Sequence, residues 1–98
     1  MPNLTSSQRQ RLRALAHHLQ PVCYVGKQGV TDAFLASVEM ALNDHELIKM
    51  KFIDGKERKR AMTDEIAEKT QADVVNIMGN IATLFRRNPD PEKRKVEI

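Results

Sequence analysis

The residues best suited to bind a ligand form a short glycine-bracketed stretch, Gly26-Lys27-Gln28-Gly29. A glycine adopts positive φ readily and leaves no side chain to keep a ligand at a distance. Lys27 adds a mobile ammonium group between the two glycines. A loop of this kind is suited to contact with the sugar-phosphate backbone of a nucleic acid. Because a G-x-x-G pattern is short, its meaning depends on the elements that surround it.

Residues that could form a catalytic or metal centre do not stand at suitable spacings. His17 and His18 are adjacent, so on a helix they point about 100° apart and cannot bind one metal ion together. Cys23 lies among apolar residues, which is typical of a small buried thiol. No Ser, His and Asp set forms a nucleophile pattern, and the glycine stretch is not a Walker loop. We therefore expect no enzyme, no cofactor and no metal site. A small hydrolase with clustered carboxylates is the remaining catalytic alternative.

The composition indicates one small domain. The 98 residues suit a single domain over residues 2–98, with one modest core. The single cysteine cannot form an internal disulfide, which fits a reducing compartment. The first residues are polar, and no stretch approaches the ~18 apolar residues of a membrane span. These features predict a cytoplasmic protein with no membrane partner.

The distribution of charge is more informative than the formal net charge of +3. Acidic residues concentrate in two segments, 32–46 and 64–68. Basic residues gather in separate clusters: Arg9, Arg11 and Arg13; Lys49 and Lys51; Lys56, Arg58, Lys59 and Arg60; Arg86 and Arg87; Lys93, Arg94 and Lys95. This separation predicts faces of opposite potential, and a basic face favours polyanionic partners.

The periodicity of apolar residues predicts three helices and four strands. In chain order these are a helix over 6–19, a strand that opens at Pro21, a helix from about 31 to 43, a strand over 47–53, a helix over 57–70, and two strands over 72–78 and 81–86. The strand-helix-strand units imply right-handed crossovers. We therefore predict an α/β domain with a mixed four-stranded sheet and helices packed against it.

The first helix is predicted to carry a basic flank. Thr5 and Gln8 fit a capping box at its start. Arg9, Arg13 and His17 recur every four residues beside its apolar face. Like charges stacked in this way repel slightly, so helix stability alone does not favour them.

Alternation in the strands predicts which side chains are buried. Ile48, Met50 and Phe52 point one way and Lys49 and Lys51 the other, as in a strand with one wet face. The last two strands are joined by a two-residue hairpin loop, Gly79-Asn80. Four of their residues are expected to share one apolar face: Val75, Ile77, Ala82 and Leu84.

The end of the chain differs in composition from the rest. From Asn88 to Arg94 it is rich in proline and charge, so we expect a mobile tail from about residue 88. Residues 96–98 are candidates for an added edge strand.

Basic residues elsewhere complete the candidate site. Their charge and placement make five of them candidates for phosphate contacts: Arg9, Arg13, Lys49, Lys51 and Arg86. The chain has one tyrosine, three phenylalanines and no tryptophan, which argues against a platform that stacks unpaired bases. Contacts with phosphate and ribose are therefore expected rather than base readout.

Longer segments of the chain resemble a known family. They are LAH at 15–17, PV at 21–22, VGKQGVT at 25–31, ALNDHELIKMK at 41–51, Gly79, and LFR at 84–86. In this order they resemble the CRM domain (chloroplast RNA splicing and ribosome maturation), and specifically its stand-alone bacterial form, the YhbY family. The run HELIK at 45–49 is far more specific than the glycine stretch.

The resemblance implies a fold similar to the C-terminal domain of bacterial translation initiation factor three. It also implies an RNA-contacting loop formed by Gly26, Lys27, Gln28 and Gly29, similar to the G-x-x-G loop of KH domains. Bacterial members associate with precursors of the large ribosomal subunit. Two positions depart from the family: Gln71 replaces a frequent glycine, and Phe85 replaces the usual tyrosine.

The basic loop and its flanking cations predict an RNA-binding protein, with a monomer favoured. The resemblance implies that it acts on ribosomal RNA during assembly of the large subunit. The alternative is a protein-interaction module that docks an assembly factor or a ribosomal protein. Its acidic helix face or its sheet would then form the contact.

Overall fold

The computed structural model describes residues 4–98, which form three helices, four strands and two 3₁₀ turns. The helices are α1 (Ser6–Ala16), α2 (Asp32–His45) and α3 (Lys59–Thr70). The strands are β1 (Pro21–Val25), β2 (Leu47–Phe52), β3 (Asp73–Met78) and β4 (Ile81–Phe85). The 3₁₀ turns cover Lys56–Arg58 and Pro91–Lys93. The predicted order of helices and strands is confirmed.

The four strands form one mixed sheet in the order β1-β2-β4-β3. β1 and β2 are parallel, whereas β4 runs antiparallel to both β2 and β3. Parallel neighbours require a crossover connection, and α2 provides it between β1 and β2. The carboxyl ends of β1 and β2 therefore lie at one edge of the sheet. We call this edge, with residues 26–29, 53–55 and 79–80, the loop edge.

Helices cover both faces of the sheet. α2 and α3 pack on one face, where Leu42 and Ile66 join Phe52 in the larger hydrophobic cluster. α1 packs on the other face, where Leu12 joins Leu47 in a smaller cluster. The predicted architecture of a mixed sheet with packed helices is therefore confirmed.

β2 shows the alternation that its sequence predicts. Ile48, Met50 and Phe52 are buried beneath α2 and α3, whereas Lys51 is exposed and Lys49 is half-buried on the opposite face. α1 covers that opposite face at the start of β2. The half of the face that carries the two lysines is left open.

The predicted common face of β3 and β4 is wrong for one residue, Val75. The pairing of the two strands shifts between Val74 and Asn76, so one extra residue interrupts the alternation of β3. Val75 consequently packs beneath α1, while Val74 and Ile77 pack against the cluster beneath α2 and α3. Ala82 and Leu84 lie in that larger cluster, as predicted.

α1 begins as predicted and ends earlier. The N–H of Gln8 donates to Thr5 Oγ1 at 3.1 Å and the N–H of Thr5 donates to Gln8 Oε1 at 3.0 Å, so the capping box is confirmed. The helix was predicted to reach Leu19, but it ends at Ala16. The N–H of Leu19 donates to the carbonyl oxygen of Ala16 at 2.9 Å, a tighter turn that leads towards Pro21.

Two helices end at non-glycine residues with positive φ. Glu46 (φ 63) follows α2, and Gln71 (φ 57) follows α3. A side chain makes this conformation costly by roughly 1–2 kcal/mol, whereas glycine adopts it readily. Gln71 therefore takes up strain at the position where the resembled family frequently has glycine.

Glu46 holds the tail after residue 88 against the rest of the fold. Its fully buried carboxylate accepts hydrogen bonds from the N–H groups of Asn88, Lys95 (2.6 Å) and Val96 (2.9 Å). Val96 and Ile98 pack against the cluster beneath α1. These residues of the tail therefore contact the rest of the fold, and the mobility expected from about residue 88 stays a prediction. The edge strand expected at 96–98 does not form.

These contacts determine how Glu46 titrates. Burial raises the pKa of Glu46, but the three backbone N–H donors and the nearby Arg87 outweigh burial and bring the pKa below its usual value. Because folding lowers this pKa, the stabilisation is complete above the unfolded-state value of about 4.3. It is lost as the pH falls through the lower folded-state value.

We expect Glu46→Gln to reduce the free energy of unfolding by about 1–3 kcal/mol at neutral pH, because a neutral amide accepts the three N–H bonds less well than a carboxylate. The difference from the wild type should shrink in acid, where the wild-type carboxylate is also protonated. Urea unfolding of both proteins over a pH series measures this difference. A variant as stable as the wild type at neutral pH would contradict the assignment.

Candidate nucleic-acid interface

The glycine loop, residues 26–29, is a tight turn between β1 and α2. The N–H of Gly29 donates to the carbonyl oxygen of Gly26 at 3.0 Å, which closes the turn. Lys27 and Gln28 form its exposed tip. Within residues 4–98, no group accepts a hydrogen bond from the backbone N–H of either residue. The loop therefore presents two free backbone donors and one ammonium group to the exterior.

The two glycines of the loop differ in what the fold requires of them. Gly29 has φ +71, and a Cβ there would lie 3.5 Å from the side chain of Met62. Gly26 does not have positive φ, and an added Cβ would meet nothing within 4 Å. The chain's own packing therefore does not require glycine at position 26. A bare backbone at this position leaves room for close approach by a ligand.

The segment that follows β2 lies beside the glycine loop. The N–H groups of Ile53 and Asp54 both donate to the carbonyl oxygen of Val25, at 2.9 and 3.2 Å. Arg58 consequently lines the same shallow cavity, of about 230 Å³, as Gln28. Arg58 was not among the predicted site residues. Its basic cluster is visible in the sequence, but the sequence does not show that the cluster lies beside the loop.

Basic side chains of α1 and β2 meet in a groove between α1 and the open half of the sheet. We define this basic groove by Arg9, Arg13, His17, Lys49 and Asn76. The first three come from the predicted basic flank of α1, and all three line the groove. Asn76 belongs to the β3 bulge and was missed, because no sequence signal marked the bulge.

Lys51 and Tyr24 connect the basic groove to the glycine loop. Lys51 follows Lys49 on the same face of β2, and it is paired with Tyr24 on the parallel strand β1. Tyr24 stands two residues before Gly26, and 54% of its surface is exposed. The predicted residues Lys49 and Lys51 therefore lead along one face of the sheet towards the loop edge.

The acidic side chains of α2 lie away from the basic groove, whereas α3 carries as many basic as acidic residues. No acidic residue lines the basic groove within the described residues. The two acidic segments form most of α2 and part of α3, on the opposite face of the sheet. Asp73 lies near Arg9, and burial raises the pKa of Asp73 although the charge of Arg9 opposes the shift.

Arg9 uses part of its guanidinium group inside the fold. Its Nη1 donates to the carbonyl oxygens of Val74 and Val75, the latter at 3.0 Å. These bonds fasten α1 to the bulged part of β3. Arg9 therefore holds the wall of the basic groove in place, while Arg13 makes no such contact within residues 4–98.

Arg86 is placed away from the other predicted site residues. Its Nη1 donates to Glu39 Oε2 at 2.8 Å and to the carbonyl oxygen of Thr70 at 2.9 Å. Its Nη2 donates to Asn43 Oδ1 at 2.8 Å. These contacts tie the end of β4 to α2 and α3. The structure therefore gives Arg86 a place in the packing of the acidic face and does not bring it to the basic groove.

The described residues offer little support for a metal site, a reactive thiol or a membrane-spanning helix. Among residues 4–98, no group of three His, Cys, Asp or Glu side chains is placed to hold a metal ion. Cys23 is buried, and this burial raises the pKa of its thiol. No helix in the described part of the chain is both long and apolar enough to cross a membrane.

The sheet order, the α1 layer and the glycine loop define a small α/β domain of the kind that the sequence resembles. The family model of the CRS1 / YhbY (CRM) domain matches residues 4–86. The chain therefore belongs to the CRM domain family.

Relatives of similar length support this membership. A protein of Pseudomonas aeruginosa named "Probable RNA-binding protein" is 41% identical over 96 residues, which cover 97% of this chain and 92% of that protein. A Haemophilus influenzae protein named "RNA-binding protein" is 39% identical, with 100% and 97% covered. The solution structure of a hypothetical Staphylococcus aureus protein matches with a TM-score of 0.80 at 24% identity, covering 97% of this chain and 100% of that chain. This structural likeness establishes the fold.

We expect the two loop glycines to respond differently to an added methyl group. Gly29→Ala should lower the free energy of unfolding by about 1 kcal/mol or more, because alanine is strained at positive φ. Gly26→Ala should change it by less than about 0.5 kcal/mol, as surface substitutions usually do. Urea unfolding of both variants tests this difference. Equal losses would show that Gly26 is also required by the fold.

Proposed function

We propose that this protein binds structured RNA through the glycine loop and the basic groove. The observation that carries the proposal is Gly26, a glycine that the chain's own packing does not require, next to the exposed ammonium of Lys27. The names of the relatives from Pseudomonas aeruginosa and Haemophilus influenzae support RNA as the partner.

The proposed binding is electrostatic. Lys27 and the free N–H groups at the loop tip hold phosphate oxygens. Arg13, Lys49 and Lys51 contact further phosphates and set the orientation of the RNA. Arg58 adds a cation on the other side of the loop.

We further propose that the RNA is ribosomal RNA in precursors of the large subunit, and that the protein acts during assembly of that subunit. This part rests on the resemblance to bacterial YhbY proteins. It includes a cytoplasmic location, action as a monomer and no catalytic step. The basic face fits this partner, because RNA helices are recognised largely through their phosphates and 2′-hydroxyls.

A protein-interaction module is the second candidate, and one feature favours it. A groove of about 780 Å³ runs between α1, β1 and the tail, and its lining includes Leu15, Leu19, Val22 and Val96. Leu15 and Val22 are 39% and 48% exposed. An apolar groove of this kind suits a protein segment better than a polyanion.

We expect Lys27→Ala to bind ribosomal RNA fragments several-fold more weakly than the wild type at moderate salt. The slope of log affinity against log salt should become shallower by about 0.7–0.9, which corresponds to one lost phosphate contact. Filter binding or fluorescence anisotropy over a salt series measures both quantities. Lys69→Ala is the control, because Lys69 is an exposed lysine on α3 that pairs with Glu65 at 3.0 Å.

In the same RNA-binding assay, Gly26→Ala tests whether the RNA must approach the loop backbone closely, because this variant leaves the charge of the loop unchanged. It should weaken binding without changing the salt slope, because it adds bulk and removes no cation. If Lys27→Ala and Gly26→Ala both bind like the wild type, the loop is not the contact site. If the wild type itself binds no RNA, the proposal fails and a protein partner in the apolar groove becomes the better hypothesis.

A further inference from the structure

We propose that a small cavity in the basic groove, together with the wider part of the groove into which it opens, holds one unpaired nucleotide of the bound RNA. The cavity has a volume of about 130 Å³, and the polar residues of its lining are Arg13, His17, Lys49, Asn76 and Thr83. It opens into the wider part of the groove, which shares Arg13, His17 and Asn76 with it. This inference rests on the proposed function and narrows the class of RNA that the protein would bind.

The fold builds this cavity from three separate elements. α1 ends at Ala16 and leaves half of the sheet face open, with Arg13 and His17 as the wall on one side. The bulge in β3 turns Val75 beneath α1 and leaves Asn76 facing the cavity. Lys49 and Thr83, which are paired across β2 and β4, form the floor.

The charges in the cavity favour an anionic group. Arg13 is exposed and Lys49 is half-buried, and no carboxylate lines the cavity. Neither cation forms an ion pair with the described residues, 4–98. A half-buried ammonium without a counter-charge is unfavourable, and a phosphate would compensate it.

The neutral groups in the cavity favour a base. The side-chain amide of Asn76 has both donors and an acceptor, and within residues 4–98 it makes no hydrogen bond, so it is free to bind the edge of a base. The planar side chains of Arg13 and His17 can stack on a base face. The cavity therefore offers groups that bind a phosphate, a base edge and a base face. A nucleotide has all three, whereas a free phosphate has only the first.

The base must be unpaired to enter this cavity. In an RNA helix the major-groove base edges lie too deep for side chains to reach, and the base faces are stacked on neighbouring pairs. A base that offers both an edge and a face is therefore unpaired. Lys51 and Tyr24 link the cavity to the glycine loop. The loop would therefore hold the backbone of a paired stem, while the cavity receives a nucleotide bulged from it or adjoining it. The scarcity of aromatic residues argued against recognition of bases. The side-chain amide of Asn76 nevertheless provides donors and an acceptor for a base edge.

The test compares two hairpin RNAs with the same stem, one fully paired and one with a single bulged 2-aminopurine. We expect the wild type to bind the bulged hairpin about tenfold more tightly and to change the 2-aminopurine fluorescence. Asn76→Ala should lose roughly three- to tenfold in affinity for the bulged hairpin and little for the paired one. Gln20→Ala, which removes an exposed amide outside the basic groove, is the matched control.

Thermal unfolding shows whether Asn76→Ala keeps the fold, and Arg13→Ala provides a second variant on a different element. Equal affinity of the wild type for the two hairpins would overturn the inference and leave the proposed function intact. Failure to bind either hairpin would remove both. Adenosine monophosphate, titrated separately, distinguishes the source of the nucleotide. If it binds through Asn76 while the bulged hairpin has no advantage, the cavity is a site for a free nucleotide and the inference is wrong.

Discussion

The parallel pairing of β1 and β2 is the constraint on which the rest of the structure depends. Because both strands point the same way, the glycine loop after β1 and the segment after β2 emerge at one edge of the sheet. The connection between two parallel neighbours must cross the sheet, and α2 makes this crossing immediately after the loop. The loop is thus fixed between a strand end and a helix start. A reversal of either strand would separate Lys27 from Lys51 and Arg58.

The incomplete cover on one face of the sheet decides what this edge can bind. α2 and α3 cover the other face and carry six of the thirteen acidic residues of the chain. α1 is shorter and covers only part of its face, so a basic groove remains beside it. Glu46 stabilises this arrangement. Its buried carboxylate accepts hydrogen bonds from backbone N–H groups of the tail, and the tail packs against the cluster beneath α1. Helices therefore cover one face of the sheet, and the other face stays partly open, as the proposed RNA contact requires.

Local patterns predicted much of this fold, and long-range contacts account for what they missed. The periodicity of α2, the alternation of β2 and the capping box at Thr5 depend on residues close in sequence, so the sequence predicted them correctly. The bulge at Val75 depends on pairing with β4, and the contact of Glu46 with the tail joins residues 42 to 50 positions apart. Arg86 was predicted to contact phosphate because the sequence does not show its partners, among them Glu39 and Thr70, which lie on other elements. Arg58 and Asn76 were also missed as candidate site residues, because their positions depend on contacts between elements distant in sequence.

Chemical-shift mapping by NMR tests the central claim most directly. In a titration of the labelled protein with a ribosomal RNA stem, the largest shifts should fall on the amides of the glycine loop and of Lys49 and Lys51. The amides of α2 beyond its first turn and of α3 beyond its first turn should move little, because they lie on the acidic face. Shifts concentrated on that face, or in the apolar groove around Leu15 and Val22, would contradict recognition through the loop edge.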